Sequence, residues 1–221
     1  MLRRLIKTAS ILILATTIAC HASSAAVKLP SPAADEPLSK TKGAQTVVLS
    51  GGCFWGIQAV FEHVKGVSSV TAGYSGGSAS TAQYETVSSG RTGHAESVRI
   101  VYDPAQVSYG QLLKVFFSVA HDPTELNRQG PDEGTQYRSA IFYANEDQRR
   151  IAQAYVDQLN RAKAFPQPIV TQIVALQAFY PAEAYHQDYA VHHPNEPYIA
   201  INDLPKVEHL KQTLPELYVG K

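Results

Sequence analysis

The run Gly51-Gly52-Cys53-Phe54-Trp55-Gly56 sets one thiol between glycines and aromatic rings. Glycines just ahead of a helix let another molecule approach the backbone closely, and the unpaired N–H groups of a helix start favour a thiolate. This spacing therefore predicts a nucleophilic Cys53 with Phe54 or Trp55 as a pocket wall beside the sulfur; the plain alternative is a small buried hydrophobe. Side-chain alternation from His94 to Tyr102 puts Glu96 on one face with Val98, Ile100 and Tyr102. A glutamate buried there would have a raised pKa and could donate a proton near neutral pH, whereas at a solvated edge it would do nothing of the kind. His94, His121 and His186 keep a rival chemistry open, in which a histidine base activates Cys53 as in a cysteine hydrolase or acyltransferase. No metal is expected, because the adjacent His192-His193 would point to opposite sides of an extended chain and no Cys-x-x-Cys or His-x-x-x-His spacing accompanies them.

These residues need elements to hold them. Thr46 to Ser50 reads as a strand, the two glycines as a tight turn, and Phe54 to about Val64 as a helix with Ile57, Val60, Phe61 and Val64 on its apolar face. Strands are predicted over Val67–Tyr74 and His94–Tyr102, with a glycine-rich polar stretch between them. A helix follows from Tyr109 to about Ala120, opened by Ser108 and Gln111 in capping-box spacing and closed before Asp122-Pro123. After a long loop, His121 to Gln136, come a strand over Tyr137–Ala144, a helix from Asn145 to about Ala162, a strand over Ile169–Leu176, and a short helix and tail over Leu204–Leu217. Strands alternating with helices predict an α/β fold, an α+β two-layer sandwich with a mixed central sheet flanked by helices in a single domain; the strand order stays open.

The chain has 221 residues, enough for one domain with a buried core, and 19 basic residues balance 19 acidic ones, so no charge field points to nucleic acid as a partner. A basic start, Arg3-Arg4 and Lys7, followed by an apolar run from Ala9 to Ala19, reads as a signal peptide over 1–26 with cleavage near Ala26, hence export to a periplasmic or extracellular space. The second reading is a lipoprotein attached through Cys20, against which stands Thr17 where a large aliphatic is usual. Residues 27–43, rich in Pro, Ala, Ser and charge without hydrophobic periodicity, read as a flexible linker, so that the catalytic domain spans 44–221. Cys20 and Cys53 are the two cysteines of the chain. Cleavage leaves one thiol, and an unpaired thiol in an oxidising space calls for a reason such as reactivity.

The Gly51 to Gly56 run, the segment Gly93-His94-Ala95-Glu96, the string His121-Asp122-Pro123-Thr124 and the string Asp132-Glu133-Gly134-Thr135-Gln136-Tyr137-Arg138-Ser139 together resemble the peptide methionine sulfoxide reductase A family, in family order from Val47 to about Asp203. The resemblance implies that the Cys53 thiolate attacks the sulfur of the S epimer of methionine sulfoxide, free or protein-bound. Glu96 would give the oxygen a proton, Tyr84 and Tyr137 would hydrogen-bond it, Phe54 and Trp55 would seat the methyl group, and Asp132 would organise polar contacts in the same pocket. Cys53 would end as a sulfenic acid. Many members carry further cysteines near the C-terminus to resolve it; here Phe179 to Lys221 has none. The chain is thus similar to a single-cysteine type, with no bound cofactor, an external thiol reductant such as thioredoxin or another dithiol, oxidised proteins, peptides or free methionine sulfoxide as substrates, and a monomeric state.

Overall fold

The computed structural model describes residues 29–220, so the expected signal peptide and Cys20 lie outside the described residues. Six strands form one mixed sheet in the order β7-β6-β1-β3-β2-β8. These are β1 (Gln45–Ser50), β2 (Val67–Ser75), β3 (Ala95–Tyr102), β6 (Ala140–Tyr143), β7 (Gln172–Ala175) and β8 (Phe179–Pro181). Only β6 and β7 run parallel. Alternation decides the two faces. Val47, Leu49, Val70, Ala72, Tyr74, Val98, Ile100 and Tyr102 point into the main core. On the other face Val48, Ala95, Ala140 and Phe142 form a small cluster under Leu176 and Phe179. The fold is therefore the expected α/β arrangement, a mixed sheet with its helices packed on the main core. Among the described residues no helix is long and apolar enough to cross a membrane.

Helix α1 (Phe54–Glu62) follows β1 after the two-glycine turn and buries Phe54, Ile57, Val60 and Phe61 against the sheet. Helix α2 (Tyr84–Val87) is a single turn between β2 and β3. The Ser108 and Gln111 side chains form the expected capping box at the start of α3 (Tyr109–Val115). Its continuation, Phe116–Ala120, is a wide π-type turn where a regular helix is predicted, and it delivers His121 in extended conformation. The loop that follows folds into a two-residue hairpin, β4 (Arg128–Gln129) with β5 (Asp132–Glu133). Asn145 accepts from the Gln148 N–H and starts α4 (Glu146–Arg161), which buries Ile151, Tyr155 and Leu159. Short α5 (Tyr189–His192) and α6 (Leu204–Thr213) complete the chain.

Further readings need correction, among them the strand predicted over Ile169–Leu176, which forms only over Gln172–Ala175. The strand predicted over Tyr137–Ala144 begins only at Ala140, because Thr135–Tyr137 closes a 3-10 turn that keeps Tyr137 out of the sheet. The stretch expected to be a flexible linker over 27–43 is, over 29–43, a strap tied to the domain. Leu29 is 3% exposed in the main core, and the Pro30 carbonyl accepts from the Tyr155 hydroxyl at 2.8 Å. Gln158 donates to the Ser31 carbonyl and accepts from the Ala33 N–H. Asp35 accepts from the Gly110 N–H at 2.8 Å and from the Ser108 hydroxyl. A chain without apolar periodicity can still be held when side chains of the domain take up its backbone groups one at a time.

Candidate active site

The Gly51–Gly52 turn exists because two side chains leave no room for anything larger. A Cβ on Gly51 would lie 2.8 Å from the His121 ring. One on Gly52, at φ +101°, would lie 2.6 Å from Gln129. His121 is fixed in turn. Its Nδ1 donates to the Phe116 carbonyl at 3.0 Å, and Nε2 accepts from Ser139 Oγ at 2.7 Å. Burial pushes its pKa down to about 4, so the ring is neutral and acts as a wedge under the turn.

Cys53 caps α1 and is 7% exposed. The acid expected from strand alternation stands beside it: Glu96 is 3% exposed, and one carboxyl oxygen accepts from the Phe54 N–H at 3.0 Å. Burial raises the Glu96 pKa to about 8. The Phe54 N–H opposes that rise, while Asp132 and Asp203 add to it. At neutral pH Glu96 is therefore mostly a carboxylic acid with a proton to give. Cys53 differs from expectation. Its pKa is well above the usual thiol range, first through burial, then through Glu96, Asp203 and Asp132, and the single Trp55 N–H pulling the other way is outweighed. The helix start alone does not make a thiolate here, because desolvation and three carboxyl groups exceed what one amide dipole supplies.

Tyr84 begins α2, where its N–H donates to Glu183 at 2.9 Å, and Tyr137 closes the 3-10 turn before β6. Burial raises both phenols, and both feel the charges of Glu96 and Cys53, so they remain O–H donors grouped with the acid and the sulfur. Phe54 is 1% exposed, packed among Trp55, Tyr74 and His186. Trp55 is half-buried and stacks on Tyr189 with ring centroids 3.9 Å apart. Asp132 accepts from the Tyr198 hydroxyl at 2.5 Å, and burial raises its pKa against that bond and Lys206. A cleft of about 480 Å³ opens onto Cys53 between β4–β5 and the start of α6, with Gln129, Asp132, Tyr198, Asn202 and Lys206 in its lining. Glu96, Phe54, Trp55, Tyr84 and Tyr137 are not part of that lining.

Of the residues singled out for reduction chemistry, Glu96 and Asp132 act on the Cys53 thiol, Tyr84 and Tyr137 feel its charge, and Phe54 and Trp55 follow it on α1; Asp203 and Tyr198 are coupled to it as well, and Lys206 lines the cleft. Asp203 is 0% exposed, with one oxygen accepting from Lys206 at 3.1 Å and the other unpaired among the described residues. The histidines named as possible bases are engaged elsewhere. His94 accepts from the Gly77 N–H and donates to the Ser78 carbonyl, His121 wedges the turn, and His186 Nδ1 accepts from the Trp55 indole. His192 and His193 are exposed, and among the described residues no group of three or more acidic, histidine or cysteine side chains is placed to hold a metal ion.

The family model for peptide methionine sulfoxide reductase matches residues 45–217. A protein of Mesorhizobium japonicum described as peptide methionine sulfoxide reductase MsrA 2 is 62% identical over 81% of this chain and 92% of its own length. A Synechocystis protein of the same description is 55% identical over 83% of this chain and 87% of its own. Among solved structures, methionine sulfoxide reductase A of Corynebacterium diphtheriae superposes with a TM-score of 0.60 at 34% identity, covering 78% of this chain and 86% of that one. Reduced Mxr1 of Saccharomyces cerevisiae gives 0.62 at 30% identity, covering 73% and 94%.

Proposed function

The chain belongs to the peptide methionine sulfoxide reductase family and is an oxidoreductase that reduces methionine sulfoxide, and we propose that Cys53 takes the oxygen while Glu96 supplies the proton. The observation that carries this reading is the bond from the Phe54 N–H to Glu96, which keeps a largely protonated acid one residue from the nucleophile. Cys53 sulfur forms a bond to the sulfoxide sulfur as the S–O oxygen takes the Glu96 proton. The hydroxyl then passes to Cys53 as the S–S bond breaks, leaving methionine, a Cys53 sulfenic acid and a Glu96 carboxylate. The reacting form of the pair holds one proton, on Glu96, with Cys53 as thiolate. Tyr84 and Tyr137 donate to the oxygen, Phe54 and Trp55 seat the methyl group, and Asp132, held by Tyr198, orders the polar side of the cleft.

The S epimer, free or in oxidised peptides and proteins, is the substrate in this reading. No cysteine follows Cys53 in the chain. An external thiol therefore attacks the sulfenic acid, releasing water and forming a mixed disulfide, and a second thiol releases Cys53; a thioredoxin-like dithiol performs both steps without a bound cofactor. The basic-then-apolar run near the start supports export to a periplasmic or extracellular space, with lipidation at Cys20 as the second route; the enzyme is a monomer in this reading. Weighing the intact protein after incubation with each sulfoxide epimer, without reductant, tests the chemistry. One oxygen added to Cys53 and one methionine released per chain is the expected result; an unchanged mass with both epimers overturns it.

A further inference from the structure

We propose that His186 is the positioning residue of Trp55: its Nδ1 takes the indole N–H and fixes the ring as a wall of the methyl pocket, which rests on the reading of Trp55 as part of that pocket. Trp55 Nε1 donates to His186 Nδ1 at 3.2 Å. An indole can only donate, so Nδ1 carries no proton and the neutral ring keeps its proton on Nε2. His186 is 2% exposed, yet Nε2 has no partner among the described residues. A buried donor left unpaired costs about 1–3 kcal/mol, and a histidine that merely filled space would not settle in such a state. Something must hold the ring there.

The chain on either side of His186 does so. Glu183 accepts from the Tyr84 N–H at 2.9 Å and from the Tyr74 hydroxyl at 2.8 Å. Gln187 accepts from the Ala72 N–H and donates to the Ala72 and Ala182 carbonyls. Asp188, in left-handed conformation at φ +54°, exchanges two hydrogen bonds with Gln58 of α1. Three residues of 183–188 are thus tied to α2, β2 and α1. The His186 ring between them lies 4.4 Å from the Tyr84 ring and 5.1 Å from the Phe54 ring, centroid to centroid. Tyr189 then covers one face of Trp55, and Tyr198 meets it edge-on at 6.1 Å. One short segment accordingly sets both an oxygen donor, Tyr84, and the indole. Burial lowers the His186 pKa, which keeps Nδ1 free to accept.

Trp55 is the single tryptophan of the chain, so indole signals report this residue alone. In His186→Phe, which keeps an aromatic ring and removes the acceptor, KM for methionine sulfoxide should rise on the order of tenfold with kcat within about twofold, and acrylamide quenching of Trp55 should increase. His186→Asn, whose Oδ1 stands close to the place of Nδ1, should recover most of both losses. Nitrogen-15 labelling of histidine and tryptophan in the unaltered enzyme should show His186 protonated on Nε2 and a slowly exchanging indole N–H. An Nδ1-protonated His186, wild-type quenching in His186→Phe, or a folded His186→Asn no better than Phe would overturn the assignment. Increased quenching with an unchanged KM would overturn it differently, by removing Trp55 from the substrate seat.

Discussion

Glu96 on β3 and Phe54 at the start of α1 are joined by a 3.0 Å hydrogen bond from the Phe54 N–H to the carboxyl group. Because Phe54 directly follows Cys53, that bond sets the acid against the nucleophile through one peptide unit, and the second carboxyl oxygen is left to carry the proton. Glu96→Gln keeps an acceptor for the Phe54 N–H but has no acidic proton to release. General acids typically contribute at least about a hundredfold, so the single-turnover rate of sulfoxide reduction should fall by about that factor with little change in KM. A rate within threefold of the wild type would remove Glu96 as the acid.

The same pair fixes a pH dependence. Glu96 loses its proton near pH 8, and Cys53 loses its own only above the usual thiol range. The form with one proton on the pair is the reacting one, so the single-turnover rate should rise as pH passes about 8 and fall again once the second proton leaves. Thiolate absorbance near 240 nm should appear only above the ordinary cysteine range, and in Glu96→Gln it should appear at lower pH, because the largest charge opposing the thiolate is gone. Stability has its own sign. A carboxyl whose pKa is raised on folding, here from 4.5 to about 8, contributes stability that is present below pH 4.5 and is lost as pH rises through 8. Denaturant midpoints should therefore decline over that window in the wild type and decline less in Glu96→Gln.

Cys53 and Glu96 are legible in the chain because each depends on local pattern: two glycines before a helix for one, alternation along a strand for the other. Their mutual distance is not, and neither is the outcome at the thiol, since the carboxyl groups of Asp132 and Asp203 arrive from segments remote in sequence. Tyr198 reaches Asp132 across 66 residues, which no periodicity encodes. The strand order escapes for the same reason, as do β8 and α2, whose three and four residues are too short for a pattern to repeat. The strap over 29–43 escapes because Leu29 and Asp35, its own anchors, form no periodic pattern, and the residues that meet it, Gln158, Tyr155 and Ser108, lie far along the chain.

Gly52 offers a test of how closely the turn sets the sulfur. At φ +101°, with Gln129 2.6 Å from any added Cβ, Gly52→Ala combines backbone strain with a clash. The strain alone amounts to about 1–3 kcal/mol, and Gln129 cannot withdraw freely because it bonds both the N–H and the carbonyl of Asp122. The variant should unfold at lower denaturant and reduce methionine sulfoxide at least tenfold more slowly per folded molecule. Wild-type values of both would show that the turn does not govern Cys53.

The strap provides the last prediction, and it separates stability from chemistry. Asp35 accepts from the Gly110 N–H and the Ser108 hydroxyl at the N-terminal end of α3, where the helix dipole also favours a negative charge. Asp35→Ala removes both bonds and leaves a helix-start N–H without its partner, which should cost about 1–3 kcal/mol of unfolding free energy. Leu29, 3% exposed in the main core, adds an apolar anchor whose truncation to Ala should cost about 2 kcal/mol or more. None of the residues that bind the strap carries a role at Cys53, so kcat and KM at 25 °C should stay within about twofold in both variants while the denaturant midpoint falls. Midpoints equal to the wild type in both would mean that 29–43 is the solvated linker its composition suggests; a loss of turnover without a loss of stability would mean that the strap reaches the site through α3 and the His121 wedge.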